Sequence, residues 1–314
     1  MFLCVSLNPA VDRRLRLAQL RCGTINRASA VRPAAGGKAA HVAMVLQTLG
    51  ANPCWLGFAG GTTGTFLVEG LGELGLEVKT VPTAGATRMN LEIIEEDGRV
   101  TEILEPGPCI STTELARMEQ TFERVLVEHA EDTIAILSGS LPVGVPQDSY
   151  ATLIRLAHRY GSRVFVDTSG EALRAALAAH PEFVKPNQQE AEWLSGRNIH
   201  GLASAGSVLK EILQTGASAA AISLGAGGLV WGSAAEKETL VARVPEQPAR
   251  FSVGSGDATL AGFAFAAEQR LPPTESLRLA AACGAANCLA DGPGRARAAD
   301  ILRLKEETRI ERLE

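Results

Sequence analysis

One short run concentrates what phosphate chemistry needs: Val253-Gly254-Ser255-Gly256-Asp257-Ala258, opening an apolar helical stretch over Ala258–Ala267. Small residues let backbone amides approach an anion closely, and a helix N-terminus adds a partial positive charge. Asp257 falls in that first turn, where two roles fit it. An Asp there caps orphan amides. A carboxylate there also suits a general base for a hydroxyl attacking a γ-phosphate, with N–H groups receiving the transferring group. A second glycine turn, Gly36-Gly37-Lys38-Ala39-Ala40, precedes a helical pattern ending at Leu49. It lacks the G-x-x-x-x-G-K-[ST] of a Walker A loop, and an ordinary loop-to-helix junction has the same composition. A third, Ser223-Leu224-Gly225-Ala226-Gly227-Gly228, follows an apolar run. Its spacing is not G-x-G-x-x-G, and it lies far from the first βαβ unit, which argues against a Rossmann dehydrogenase. In Lys185-Pro186-Asn187-Gln188-Gln189-Glu190, Asn187 and Glu190 have capping-box spacing. Their functional alternative is to order metal-bound water beside a triphosphate.

Such groups need a scaffold. Short apolar runs at Phe2–Leu7, Cys54–Phe58, Val78–Val81, Thr133–Leu137, Arg163–Asp167, Phe183–Lys185 and Ala219–Ser223 predict strands. Between them, Ala39–Leu49, Thr113–His129, Gln147–Tyr160 and Glu171–Ala179 predict amphipathic helices, with Gly50 and Gly161 as C-terminal stops. Alternation of this kind means βαβ units and a parallel sheet, whose ligands bind at the carboxyl ends of the strands. Two segments break the rhythm. Asp12–Pro33 mixes polar and apolar residues, and Thr87–Leu104 reads as a hairpin turning at Glu96-Asp97-Gly98. Together they predict a small β lid (12–33 and 87–104) on a large α/β domain (1–11, 34–86 and 105–314). Lys305–Glu314 reads as a solvated terminal helix face.

Composition narrows the partners. With 314 residues, 46% hydrophobic and 21% charged, the chain can build a core without metal or disulfide staples. A net charge of −5 argues against nucleic acid and anionic membrane as partners. The six cysteines are scattered and predict reduced, buried thiols. MFLCVSL reads as a first strand, not a signal peptide, and no stretch suits a membrane span, so a cytoplasmic protein with a small-molecule ligand is expected.

Taken in order, Gly36-Gly37-Lys38, Asp167-Thr168-Ser169-Gly170, Lys185-Pro186-Asn187-Gln188-Gln189-Glu190, Ser223-Leu224-Gly225 and Val253-Gly254-Ser255-Gly256-Asp257 resemble the PfkB (ribokinase-like) carbohydrate kinases over nearly the whole chain. Asn8-Pro9-Ala10-Val11-Asp12, Asn26-Arg27, Thr87-Arg88-Met89-Asn90, Glu105-Pro106-Gly107-Pro108 and Ser138-Gly139-Ser140-Leu141-Pro142 resemble its phosphosugar branch. That branch holds 1-phosphofructokinases, tagatose-6-phosphate kinases and minor 6-phosphofructokinases. The resemblance implies a three-layer α/β/α sandwich with a β lid. It implies ATP-dependent phosphorylation of a ketohexose phosphate, with Mg²⁺ as cofactor.

Roles follow by matching position. Asp257 would be the base, and the amides of Gly254, Ser255 and Gly256 the anion hole. Asp12, Gly36, Gly37, Lys38, His41 and Ser138 would line the sugar side, with Arg27 and Arg88 gripping its phosphate. Asn187, Ser223, Gly225, Gly228 and Asn287 would meet the nucleotide, and Glu190 would hold Mg²⁺ through water. A homodimer through the lid is compatible with the resemblance. Relatives usually read G-G-K-G-x-N where this chain has Ala39 and His41, and often carry Asn where Leu104 stands. These changes leave two alternatives: a kinase of another small sugar, or a catalytically silent sugar-phosphate sensor.

Overall fold

Alternating side chains on each central strand divide the interior into two cores. Phe2 and Cys4 face one helical layer, whereas Leu3 and Val5 face the other. The computed structural model describes residues 1–129, 133–236, 238–248 and 251–313. The first half runs β1 (Phe2–Ser6), β2 (Ala10–Leu17), β3 (Ala30–Gly36), α1 (Lys38–Thr48), β4 (Cys54–Ala59), α2 (Gly61–Glu73), β5 (Glu77–Pro82), β6 (Arg88–Glu95), β7 (Val100–Leu104), α3 (Thr112–Glu128), β8 (Ile134–Ser138) and α4 (Ser149–Arg159). It continues through β9 (Arg163–Asp167), α5 (Gly170–Leu177), β10 (Phe183–Val184), α6 (Gln188–Ser195), α7 (Leu202–Gln214), β11 (Ala219–Ser223), β12 (Leu229–Ser233), β13 (Thr239–Arg243), α8 (Ser255–Glu268), α9 (Pro273–Leu289), α10 (Ala298–Glu307) and β14 (Arg309–Leu313).

The large sheet has the order β14-β13-β12-β11-β10-β9-β8-β1-β4-β5. From β11 to β5 every pairing is parallel. β1 lies between β8 and β4, so the chain winds outward from it in both directions. That switch point opens a crevice at the carboxyl ends of β1 and β8. Helices α1, α8 and α9 cover one face and α3, α4, α5 and α7 the other, giving the expected three layers.

The seven expected strands are all present, with ends shifted by at most two residues. Strands β12, β13 and β14 form an antiparallel edge that the sequence reading missed. The C-terminal run is therefore corrected: helix α10 stops at Glu307, and Arg309–Leu313 pairs with β13. Its charged, alternating residues suit an edge strand, which must resist further pairing. The thiols also need correcting. All six cysteines are free, but Cys22 and Cys109, both in loops, are exposed.

A second sheet, β3-β2-β6-β7, joins the two segments that broke the βα rhythm through the parallel pair β2·β6. Register aligns Asp12 with Asn90 and Arg14 with Glu92 on β2·β6, and Glu92 with Glu102 and Asn90 with Leu104 on β6·β7. With a period of two, one face of the sheet is thus polar and points at the crevice.

Candidate active site

Loops at the carboxyl ends of β1, β8, β9, β10 and β11, the start of α1, the start of α8 and the polar face of the small sheet enclose a cleft of about 610 Å³. At its centre three buried groups form a chain. His41 Nε2 lies 2.9 Å from Asp12 Oδ2, and His41 Nδ1 lies 2.9 Å from Asp257 Oδ2. Asp12 is held further by Asn90 Nδ2 at 3.1 Å and the Gly37 amide at 3.3 Å. Burial disfavours the imidazolium, but hydrogen bonds to Asp12 and Asp257 outweigh it and push His41 up to about 10. The same contacts outweigh burial at Asp12 and hold its carboxyl below its ordinary value.

Gly36 makes this arrangement possible. A Cβ there would lie 1.9 Å from Asp12 Oδ2, so only glycine leaves room for the carboxylate. Gly254 has φ +80° at the N-terminus of α8, and a Cβ there would meet Pro293 at 2.5 Å. It turns the chain so that Gly256 and Asp257 open onto the cleft.

A second charged group stands beside the first. Asp167, at the end of β9, accepts Lys38 Nζ at 2.8 Å and faces Lys185 Nζ at 3.0 Å. Burial opposes the charge on Asp167, but the two ammonium groups outweigh it and hold its carboxyl well below the usual range. Lys185 itself is almost fully buried, and a Cβ built on Gly256 would lie 3.2 Å from its Nζ. A full positive charge and the positive end of α8 therefore converge on one spot, which favours a multiply charged anion.

The remaining predicted residues fall in several places. Asn187 and Glu190 line the cleft and also form the expected capping box on α6. Burial and the nearby Asp167 push the Glu190 carboxyl up. Arg88 lines the cleft, donating to the carbonyls of Asn8 at 3.2 Å and Glu105 at 2.8 Å. Ser223 lines both this cleft and a more apolar cavity of about 400 Å³, which Gly225, Gly228 and Ser255 also line. Ser255 donates its amide to Ser252 O at 3.2 Å, so that amide is spent within the loop, whereas Gly254, Gly256 and Asp257 line the cleft.

Other residues lie outside the cleft. Arg27 is exposed in the loop between β2 and β3. Ser138 is fully buried at the end of β8, and Gly139 and Ser140 line the cleft instead. Gly36 sits beneath Asp12. Asn287 is also fully buried: it donates to Val253 O at 2.8 Å and accepts from the Gly294 amide at 2.9 Å, so it braces the glycine loop.

The cleft also contains residues that received no role from sequence: Asn8, Asn90, Glu92, Glu102, Asp167 and Lys185. Asp167 and Lys185 stand at strand carboxyl ends, a signal that was available. Glu92 and Glu102 required the register of the small sheet.

The pfkB family carbohydrate kinase model matches residues 4–299. The chain belongs to this family. It is a carbohydrate kinase, a phosphotransferase, and its fold is the ribokinase-like one expected. The 1-phosphofructokinase of Rhodobacter capsulatus is 36% identical over 279 residues, covering 88% of this chain and 87% of that protein. The Vibrio cholerae 1-phosphofructokinase is 31% identical over 281 residues, covering 90% and 87%. The crystal structure of Escherichia coli phosphofructokinase-2 in complex with fructose-6-phosphate matches with a TM-score of 0.88 at 28% identity, covering 98% of each chain. No helix among the described residues is long and apolar enough to cross a membrane.

Proposed function

We propose that this kinase transfers the γ-phosphoryl group of ATP to a hydroxyl of a ketohexose phosphate, giving ADP and a ketohexose bisphosphate. One observation carries the reading. The start of α8 places Asp257 and the anion-facing Gly256 where the polar cleft meets the apolar cavity, and Ser223 and Gly256 line both. Two ligands, one polar and one with an apolar ring, would meet end to end at the base.

In this reading the sugar occupies the side of Asp12, Asn90 and Asn8, with Arg88 and Ser140 at its phosphate. Arg forks suit phosphate oxygens. ATP places its purine beside Gly225, Gly228 and Ala285, with its phosphates running toward Lys185. Asp257 Oδ2 is engaged by His41, which leaves Oδ1 for the sugar hydroxyl. As the hydroxyl oxygen bonds to the γ-phosphorus, its proton passes to Asp257 and the bond to the β-phosphate oxygen breaks. Lys185 and the amides of Gly254, Gly256 and Asp257 stabilise the charge on the moving group. The small sheet roofs the cleft and excludes water, as a lid.

Mg²⁺ fits these residues. No cluster of three metal-ligating side chains occurs among the described residues. Mg²⁺ typically takes one or two carboxylates, waters and substrate phosphates, and Glu190, whose carboxyl is pushed up by burial and then by Asp167, offers a carboxylate that a cation would hold ionised. The ion would neutralise nucleotide phosphate charge there.

The names of the two curated relatives make fructose 1-phosphate the first substrate to test, ahead of fructose 6-phosphate and tagatose 6-phosphate. A dimer through the lid also belongs to this reading, because exposed Val31 and Ile103 share the outer face of the small sheet. Phosphorus NMR of the purified chain with ATP, Mg²⁺ and each sugar phosphate tests the reaction. The expected result is a second phosphomonoester signal on the hexose, matched by ADP. Binding of sugar phosphate with no new signal would favour the silent sensor.

A further inference from the structure

We propose that His41 is a positioning residue, a doubly hydrogen-bonded imidazolium that locks Asp12 and Asp257 together, and that it is not a sugar ligand. The inference rests on the reading of Asp257 as the base.

Proton counting carries it. Each contact of 2.9 Å between a ring nitrogen and a carboxylate oxygen requires one proton between the two atoms. Two contacts require two protons. Whichever atoms hold them, the three groups together carry a charge of −1. His41, Asp12 and Asp257 are 5%, 2% and 4% exposed, so water does not substitute for either partner. Both ring nitrogens are committed, and the ring has no donor or acceptor left for a sugar hydroxyl. A hydroxyl seated at Asp12 is instead brought into register with the base through the ring.

Other charges face the bridge from each packed element. Lys38 on α1 is drawn to Asp167, Glu92 on β6 pairs with Arg14 of β2 at 3.1 Å, and Glu102 on β7 and Arg88 on β6 lie near Asp12. The acidic groups reinforce the ring's proton, and the basic ones oppose it. The position of His41 up to about 10 fits an intact bridge across the neutral range.

The test is nitrogen-15 NMR of the full chain labelled at histidine, followed by kinetics. His41 should show two strongly downfield ring N–H signals and keep imidazolium shifts up to about pH 9. Asp12→Asn and Asp257→Asn should each abolish one of the two signals. His41→Phe keeps the ring shape and should lower kcat about 10²-fold while the KM for ATP stays unchanged. A neutral His41, absence of both downfield signals, or a His41→Phe variant with unaltered kcat would overturn the proposal. The two readings also separate. Wild type that shows the signals but phosphorylates no sugar would remove the kinase mechanism and leave the bridge. An active wild type without them would remove the bridge alone.

Discussion

Gly36→Ala isolates the sugar-side carboxylate without touching any reacting group. The added Cβ would sit 1.9 Å from Asp12 Oδ2 and 2.4 Å from its Cγ. Ordinary contact begins at 3.4 Å, so the carboxylate must retreat by about 1.5 Å (3.4 minus 1.9). A shift of that size carries Oδ2 beyond hydrogen-bond reach of His41 Nε2, now 2.9 Å away. The clashing atoms are the far end of a side chain, so the fold accommodates the change. The site does not: a misplacement of about 1 Å costs roughly 10²-fold, or about 2.7 kcal/mol of transition-state stabilisation. We therefore expect kcat/KM for the sugar phosphate to fall about 10²-fold, with the KM for ATP unchanged and circular dichroism native. Because Gly36→Ala and His41→Phe remove the same link, the double variant should be little worse than either single one. A folded Gly36→Ala enzyme within about threefold of wild type would refute the reasoning.

Three further outcomes follow from the same geometry. Asp257→Asn should lower kcat by about 10³-fold with both KM values nearly unchanged, and normal turnover would exclude Asp257 as the base. Lys185→Met leaves buried Asp167 with Lys38 alone; urea titration should show a loss of about 3 kcal/mol and kinetics a higher KM for ATP, and an unchanged midpoint would contradict the ion-pair account. Burial pushes Glu92 up to about 7, above its free value of 4.5, so the folded state holds that proton more tightly than the unfolded chain. Stability from this group is present below about pH 4.5 and lost as pH rises toward 7, so the Tm advantage of Glu92→Gln over wild type should grow between those values; parallel Tm curves would count against it.

The layered sheet was legible because each parallel strand is a short apolar run with both faces buried, as Phe2–Ser6 shows. The antiparallel edge was not. β14 reads Arg-Ile-Glu-Arg-Leu, where the charges that protect an edge also resemble a solvated helix. At the site, glycine turns and Asp257 stood out because close approach to an anion restricts residue type. Asn287 looked like a ligand for the same reason of position, yet its amide is spent on Val253 and Gly294. Lys185 carried only the weak signal of its place at a strand carboxyl end; Asp167 on the neighbouring strand and Gly256 beside it give it meaning. The acidic overall balance was informative in the same way. Cations are gathered by tertiary contact at Lys38, Lys185 and Arg88, while Arg27 stays outside the cleft.

The most direct measurement compares kcat/KM for fructose 1-phosphate and for fructose in an ADP-release assay with the purified enzyme. Two charge-assisted contacts to the substrate phosphate at about 2 kcal/mol each predict a preference of roughly 10³-fold for the phosphorylated sugar. Equal turnover of both sugars, or turnover of unphosphorylated sugars alone, would contradict the account.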